Sequence, residues 1–188
     1  MTCITGIIAK NDVYMGVDSA SGMTDGQFQQ TVSTKKLIFK RGMMIGYTSA
    51  WRMGNILEHE FEPPARRKGM DLEKYMVVDF IGALRKSFKD AGFTEIEHSK
   101  EHAGDFLVAI EQGSRLFEIR SDFSVITPVS YAAVGSGMFS ALASLKTTEG
   151  LKLGAAERIR LALETAANFN FGVRGPFEIA SFKDRQDS

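Results

Sequence analysis

The N-terminal segment constrains the fold more than any other stretch, because it predicts two short strands joined by a tight turn. Residues 1–8 and 13–19 are largely apolar and rich in β-branched side chains, and the polar segment Lys10–Asp12 lies between them. This pattern is typical of a β-hairpin. Because a hairpin folds its outer ends together, Thr2 and Asp18 are predicted to be neighbours.

Thr2 is a candidate nucleophile. It follows Met1, and an initiator methionine is usually removed when the next residue is this small. Removal would leave a hydroxyl and an α-amino group on one residue. The α-amino group has an ordinary pKa of about 7.7–8.0, so near pH 7 a useful fraction can act as the base for the threonine hydroxyl. The alternative is that Thr2 only begins an edge strand. Cys3 is predicted to be a small buried residue, and it becomes a nucleophile candidate only if processing removes two residues.

Composition narrows the class of protein. A length of 188 residues suits one domain spanning residues 1–188, with a polar, frayed tail at 183–188. Acidic and basic residues balance at 23 each, which gives no electrostatic case for a nucleic acid or a membrane as partner. The lone cysteine excludes an intrachain disulfide and fits a reducing compartment. Since neither a spanning run nor a secretory signal is visible, a cytoplasmic location is expected.

The histidines offer one formal motif. His98 and His102 stand four apart in an H-x-x-E-H pattern, which matches a zinc-binding arrangement. The stretch is short and very polar, Gly104 follows it, and no third ligand stands out. We therefore predict a solvated segment and no metal site.

The other predicted elements come from hydrophobic periodicity and turn residues. Strands are predicted at 35–40, 43–47, 106–110, 115–119, 125–126, 131–134 and 176–182. Helices are predicted after the hydroxyl residues 48–49, from 71 to 92, from 138 to 147 and from 151 to 168, with loops at 20–26 and 95–104. Because strands cluster in hairpins and helices come in pairs, the expected fold class is α+β. Antiparallel sheets are expected to stack, with helix pairs covering the outside.

Five short motifs resemble those of the proteasome β-type and HslV-like peptidases. They are Thr2, Gly16–Ser19, Lys36–Leu37, Ile45–Gly46 and Val134–Gly137, and their order is similar from residue 2 to about residue 182. The resemblance implies a four-layer αββα sandwich, the N-terminal-nucleophile hydrolase fold. It also implies a homo-oligomeric ring that cleaves peptides or unfolded proteins in an inner chamber without a cofactor. No nucleotide-binding P-loop is visible in this chain, so an ATPase unfoldase would be a separate partner.

The resemblance also implies roles for single residues. Thr2 stands at the nucleophile, Asp18 at the carboxylate that holds a catalytic lysine, Lys36 at that lysine, and Ser136 at a serine that hydrogen-bonds to the terminal amine. A lysine cation near Thr2 would lower the pKa of the hydroxyl and of the amine. Lys35 competes with Lys36, since adjacent strand residues face opposite ways. The alternative for Asp18 and Ser136 is that they are ordinary turn residues without a catalytic role.

The oxyanion and substrate loop implied by the resemblance consists of Gly46, Tyr47, Thr48 and Ser49, whose backbone N–H groups would face the developing oxyanion. Here the sequence departs from the family, which often carries glycines after Gly46. A second departure is Asn168, which stands where the family commonly has an aspartate that supports the amine. Asn168 could replace the hydrogen bond of that aspartate but not its charge.

These departures leave three functions open. The first is an N-terminal threonine endopeptidase that is active after Met1 is removed. The second is a catalytically silent ring subunit. The third is an amidase of the N-terminal-nucleophile group that acts on a small amide.

Overall fold

A computed structural model describes residues 1–22, 28–97 and 100–186 of the chain. The strands in these ranges are β1 (Ile4–Ala9), β2 (Asp12–Val17), β3 (Ala20–Gly22), β4 (Gln29–Thr31), β5 (Leu37–Lys40), β6 (Met43–Tyr47), β7 (Glu95–Glu97), β8 (Lys100–His102), β9 (Phe106–Ile110), β10 (Arg115–Ile119), β11 (Val125–Ile126), β12 (Tyr131–Val134) and β13 (Glu178–Ser181). The helices are α1 (Trp51–His59), α2 (Leu72–Lys74), α3 (Ile81–Asp90), α4 (Met138–Thr147), α5 (Ala155–Phe169) and α6 (Phe182–Gln186). A π-helical segment, Tyr75–Phe80, joins α2 to α3.

Two antiparallel sheets form the centre of the fold. Among the described strands, one sheet has the order β12-β1-β2-β13 and the other the order β11-β10-β9-β6-β5. β3 pairs with β4 and β7 with β8 as two small separate ribbons. Hairpin pairings dominate the five-stranded sheet, whereas in the four-stranded sheet only β1 and β2 form a hairpin and the outer strands come from distant parts of the chain.

Three buried clusters show how the layers stack. Between the sheets, Ile4 and Met15 of one sheet pack with Leu107 of the other. On the outer face of the β6-containing sheet, α1 and α3 bury an aromatic cluster that includes Phe88. On the outer face of the other sheet, α4 and α5 pack through residues such as Leu163. The order of layers is helix, sheet, sheet, helix, which confirms the predicted α+β class with two stacked antiparallel sheets flanked by helix pairs.

The N-terminal hairpin is confirmed. β1 and β2 pair from Ile4 opposite Val17 to Ala9 opposite Asp12, so the turn consists of residues 10 and 11. The buried carboxylate of Asp12 accepts hydrogen bonds from the backbone N–H groups of Phe182 (3.3 Å) and Lys183 (3.4 Å). This contact fixes the start of α6 against the hairpin, so residues 183–186 are helical rather than frayed as predicted.

Two predicted loops contain strands. Residues 20–22 pair with 29–31, and residues 95–97 pair with 100–102. Both ribbons are short and pair only with each other, so their sequences carry little of the apolar alternation that marks a strand in a large sheet. Residues 23–26 of the first predicted loop, and His98 of the zinc-like pattern, lie outside the described residues.

Helix ends were predicted with mixed success. The carboxylate of Asp71 accepts the backbone N–H of Lys74 at 3.0 Å, which confirms the predicted cap of the second helix. The first helix begins at Trp51 with Ala50 as its N-cap, without a side-chain cap. The predicted hydroxyl cap is therefore wrong, because the Thr48 hydroxyl bonds to Asp105 instead. α5 begins only after Gly154, four residues later than predicted. No helix in the described ranges is long and apolar enough to cross a membrane.

Gly54 gives a direct test of the packing between α1 and β6. A Cβ atom at this position would lie 2.0 Å from the hydroxyl oxygen of Tyr47, whose ring is buried. We expect Gly54→Ala to lower the free energy of unfolding by about 1–3 kcal/mol, because this overpacking exceeds the roughly 1 kcal/mol gained in helix propensity. Urea denaturation measures the change. The matched control is Gly82→Ala in α3, where a Cβ meets nothing within 4 Å and stability should rise. Equal effects of the two changes would contradict the expectation.

Candidate active site

The site is built around the carboxylate of Asp18, which lies directly after β2. Its two oxygens accept hydrogen bonds from the Lys36 Nζ, at 2.9 and 3.0 Å. They also accept the backbone N–H groups of Cys3 at 2.9 Å and Ala20 at 2.8 Å. Asp18 and Lys36 are both almost completely buried. A buried carboxylate with a cation and two N–H donors is fully satisfied, so this pair is rigidly held.

Burial governs the charge of Lys36. Loss of solvent lowers the pKa of its ammonium group, and the neighbouring Asp18 carboxylate raises that pKa by a smaller amount. Lys35 points elsewhere, because it is exposed and lies 3.5 Å from Glu58 on the surface. Lys35 and Lys36 were alternatives for the lysine that Asp18 holds, and the structure places Lys36 beside Asp18.

Thr2 lies at the open end of the same hairpin and is 5% exposed. Its backbone N–H donates to the Ser136 hydroxyl at 3.3 Å, and its carbonyl oxygen accepts the Gly137 N–H at 3.3 Å. Its own hydroxyl donates to the Met1 carbonyl oxygen at 2.5 Å. The structure therefore brings together Thr2, Asp18, Lys36 and Ser136, the four residues for which the resemblance implies a catalytic role.

The N-terminal amine also lies within the field of Lys36. Burial lowers the pKa of the Met1 ammonium group, the Lys36 cation lowers it further, and Asp18 raises it. With Met1 present, the nitrogen of Thr2 belongs to a peptide bond. After removal of Met1 the α-amine would be on Thr2, one residue closer along the chain to β1.

The turn that carries Ser136 needs its glycines. Gly135 has a φ of 93°, which L side chains rarely adopt, and a Cβ there would lie 2.3 Å from the Thr2 carbonyl oxygen. A Cβ at Gly137 would lie 2.8 Å from the Cys3 Cβ. The backbone after β12 can therefore approach the N-terminus only because these two positions lack side chains.

The amide that supports Ser136 belongs to Asn170, not to Asn168. The Ser136 hydroxyl lies 3.2 Å from the Asn170 Oδ1, and the Asn170 Nδ2 donates to the Ser136 carbonyl oxygen at 2.8 Å. Asn168 is an exposed residue in the last turn of α5. The structure does not bring Asn168 to Ser136, because α5 ends at Phe169 and Asn170 is the residue that contacts Ser136. The support of the terminal amine by Asn168 stays a prediction. The sequence Asn168-Phe169-Asn170 indicated that either asparagine could provide an amide near Ser136.

Part of the predicted oxyanion loop belongs to the β6-containing sheet. Gly46 and Tyr47 belong to β6 and pair with residues of β9. The Thr48 N–H donates to the Asp105 carbonyl oxygen at 3.0 Å. Ser49 has a φ of 75°, and the Ala50 N–H donates to the Thr48 carbonyl at 3.1 Å across it. This is a tight, strained turn for a residue other than glycine. The Ser49 N–H has no acceptor among the described residues.

A small cavity of about 130 Å³ opens beside Thr2. Its lining consists of Met1, Thr2, Ala20, Ser21, Gly22, Lys36, Tyr47, Thr48, Ser49, Ala50 and Trp51. The nucleophile candidate, the lysine and the predicted loop therefore face one space. Sequence reasoning did not assign Ser21 or Trp51 to the site, although Trp51 is the sole tryptophan of the chain.

Cys3 lies next to Thr2, but its thiol is expected to be unreactive. Its thiol is fully buried, and burial raises its pKa from 9.0 to about 12. At pH 8 the thiolate fraction should fall roughly 10³-fold relative to an ordinary thiol, because each pKa unit is a factor of ten. We expect iodoacetamide to leave Cys3 unmodified in the folded protein and to alkylate it in denaturant, as read by mass spectrometry. Equal labelling in both states would contradict this.

Within residues 1–22, 28–97 and 100–186, no group of three or more His, Cys, Asp or Glu side chains is arranged to hold a metal ion.

Comparison with solved structures identifies the fold. Over 96% of the chain, it superposes on 98% of Thiobacillus denitrificans BPH in complex with epoxomicin, with a TM-score of 0.79 and 19% sequence identity. Over the same share, it matches 98% of the eukaryotic HslV from Trypanosoma brucei, with a TM-score of 0.67 and 16% identity. The Anbu (Gly-1) mutant from Hyphomicrobium sp. strain MC1 matches with a TM-score of 0.68 and 15% identity, over 95% of this chain and 80% of that one.

The fold is therefore that of the HslV-like peptidases, and the resemblance seen in the sequence is confirmed at this level. The particular proteins that share it include BPH, HslV and Anbu. At these identities the likeness concerns the fold alone. No model of a protein family and no curated protein sequence matches the chain.

Proposed function

We propose that this protein is an N-terminal threonine peptidase, active once Met1 has been removed. The observation that carries the proposal is the buried Lys36–Asp18 pair, whose Lys36 lines the same cavity as Thr2. A buried ion pair of this kind contributes little net stability, because desolvation offsets the attraction of the charges. A cation held at a cavity wall beside a hydroxyl is instead well suited to stabilise a developing alkoxide.

The chemistry follows from these positions. The α-amine of Thr2 takes the proton of the Thr2 hydroxyl, and the oxygen attacks the carbonyl carbon of a peptide bond. The Lys36 cation favours the alkoxide. The N–H of Ser49, which has no acceptor among the described residues, can donate to the oxyanion, a contribution of about 2.7–4 kcal/mol per donor in comparable sites. The protonated amine then gives its proton to the leaving amine. Water, deprotonated by the same amine, hydrolyses the ester and restores the hydroxyl.

Assembly is part of the proposal. The fold shared with HslV and with Anbu supports a homo-oligomeric ring whose chamber encloses the sites and admits peptides or unfolded proteins. A separate ATPase unfoldase would supply such substrates, and we place the protein in the cytoplasm.

Covalent capture tests the proposal. The purified protein is analysed by intact mass for loss of Met1 and is then incubated with an electrophilic peptide; epoxomicin, the compound in the BPH complex, is one probe. Peptide mapping should locate the adduct on Thr2. Chemical acetylation of the N-terminus provides the control, because it removes the base and should prevent the adduct. A protein that has lost Met1 and gives no adduct on Thr2 would contradict the proposal.

A catalytically silent ring subunit is the second candidate. The observation that favours it is the neutral amide of Asn170 beside Ser136. The resemblance implies that the family commonly has a charged aspartate to support the amine, and this chain has asparagines at 168 and 170. Retention of Met1 in the assembled protein would support this candidate. Hydrolysis of small amides without hydrolysis of an unfolded protein would instead support the amidase.

A further inference from the structure

A second cavity lies at the opposite end of β6 from Thr2. Met43, the first residue of β6, lines this second cavity, whereas Tyr47, the last residue of β6, lines the cavity beside Thr2. The second cavity has a volume of about 610 Å³. This volume falls within the roughly 300–1,000 Å³ of sites that enclose a whole small molecule.

The wall of the second cavity that faces the protein interior is apolar. Met43, Tyr75 and Ile110 line the cavity and belong to the buried cluster on the outer face of the β6-containing sheet. The Tyr75 hydroxyl donates to the Pro64 carbonyl oxygen at 2.7 Å, so its polar atom is already satisfied. Leu72 adds a half-buried side chain. The wall can therefore pack against the uncharged part of a ligand.

The charged side chains of the lining are mostly cations. They are Arg41, Arg66, Arg67, Lys68 and the carboxylate of Glu111. Arg41 lies 3.4 Å from Glu62, and Arg67 lies 3.3 Å from Asp79. Both pairs lie at the surface, where ion pairs are weak, so these guanidinium groups can also interact with an anion in the cavity.

Arg66 and Lys68 carry charge that the fold does not neutralise. In the part of the chain that the structure describes, no carboxylate forms an ion pair with either residue. The half-buried guanidinium of Arg66 donates to the Met70 carbonyl oxygen at 2.8 Å and to the Gln112 Oε1 at 2.6 Å, which are neutral acceptors. Because a guanidinium has five N–H donors, Arg66 keeps donors for a ligand.

The segments around the second cavity are tied to one another. The Glu111 N–H donates to the Gly42 carbonyl oxygen at 2.9 Å, which joins the turn after β9 to the turn after β5. The bond between Arg66 and Gln112 joins the turn after β9 to the loop between α1 and α2. Because these bonds hold the cavity without a ligand, binding requires little further ordering of the chain.

The charge of the second cavity selects the kind of anion. A phosphate monoester carries about −1.5 to −2 charges at pH 7 and three strong acceptor oxygens, so it matches two cations. A carboxylate carries a single charge. Acidic and basic residues balance at 23 each over the whole chain, which gives no long-range attraction for a polymeric nucleic acid.

We propose that the second cavity binds a small organic phosphate. The phosphate group contacts Arg66 and Lys68, and the uncharged part of the molecule packs against the apolar wall. The lining shares no residue with the cavity beside Thr2, so this inference does not depend on the proposed peptidase function.

Isothermal titration calorimetry on the full chain tests the site. The probes are AMP and glucose 6-phosphate, and each is paired with its unphosphorylated counterpart, adenosine or glucose. At least one phosphate should bind saturably, with one molecule per chain and about 10-fold or more tightly than its counterpart, because charge-assisted hydrogen bonds are the strong ones. Absence of saturable binding by both phosphates would overturn the inference. So would binding of N-acetylleucine, a carboxylate with an apolar body, as tightly as the phosphates.

Variants that remove one positive charge locate the phosphate group. Lys68→Gln changes an exposed side chain and should weaken binding by about 10-fold, as expected for one hydrogen bond between charged groups. Arg66→Gln should weaken binding at least as much, and a urea denaturation curve checks that it is folded. Lys152→Gln is the control, because it removes an exposed charge outside the lining and should leave the affinity unchanged. An affinity in Lys68→Gln equal to that of the wild type would overturn the inference.

Discussion

Thr2→Ala is expected to reduce peptide hydrolysis by a factor on the order of 10⁴ or more, while the protein stays folded. Loss of a covalent nucleophile removes the reacting atom, so the remaining binding groups give only residual catalysis. The described hydrogen bond of the Thr2 hydroxyl goes to the adjacent Met1 carbonyl, not to another element of the fold. The free energy of unfolding should therefore change by no more than about 1 kcal/mol. Initial rates on a fluorogenic peptide, beside a urea denaturation curve, measure both quantities.

Two controls make the result specific to the hydroxyl of Thr2. Thr2→Ser keeps a hydroxyl and an α-amine on one residue, so it should retain measurable hydrolysis. Cys3→Ala alters the neighbouring side chain, whose thiol is buried and protonated, and should leave the rate within a few-fold of the wild type. Hydrolysis by Thr2→Ala at the wild-type rate would exclude Thr2 as the nucleophile.

The layered core and the N-terminal hairpin could be predicted because their signals are local. The apolar, β-branched composition of the two segments and the short polar turn between them indicate the hairpin, and the register of β1 and β2 brings Thr2 close to Asp18. The choice between Lys35 and Lys36 could not be made in the same way. Alternation shows that the two face opposite sides, but only packing against the other sheet shows which side holds the carboxylate.

The errors concern residues whose neighbours come from distant segments. Asn170, rather than Asn168, supports Ser136, because tertiary contacts decide where α5 ends and the chain turns inward. Trp51 was not assigned to the site from the sequence. Its bond to Ser21 depends on β3, and β3 itself was missed because it forms a short ribbon outside the two large sheets. Helical periodicity identifies the buried face of a helix but not what its first residue touches.

Breaking the buried ion pair from one side should have the largest effect on stability. We expect Asp18→Ala to lower the free energy of unfolding by about 3–5 kcal/mol, because it leaves the Lys36 ammonium buried without a partner. Lys36→Met should cost less, since the Asp18 carboxylate keeps the N–H donors of Cys3 and Ala20. The double variant should cost less than the sum of the two. Lys35→Ala, which breaks an exposed pair, is the control and should change stability by about 1 kcal/mol or less.

The pH dependence of Lys36→Met gives this pair an independent test. Burial lowers the pKa of Lys36 in the folded protein below its ordinary 10.5, so the unfolded chain binds more protons between those two values. Across that window the contribution of Lys36 to the free energy of unfolding must rise with pH. The difference in stability between wild type and Lys36→Met should therefore shift in favour of the wild type as pH increases towards 10.5. A difference that moves the other way would mean that Asp18 outweighs burial. Lys36 would then lose its proton only at a pH above its ordinary range.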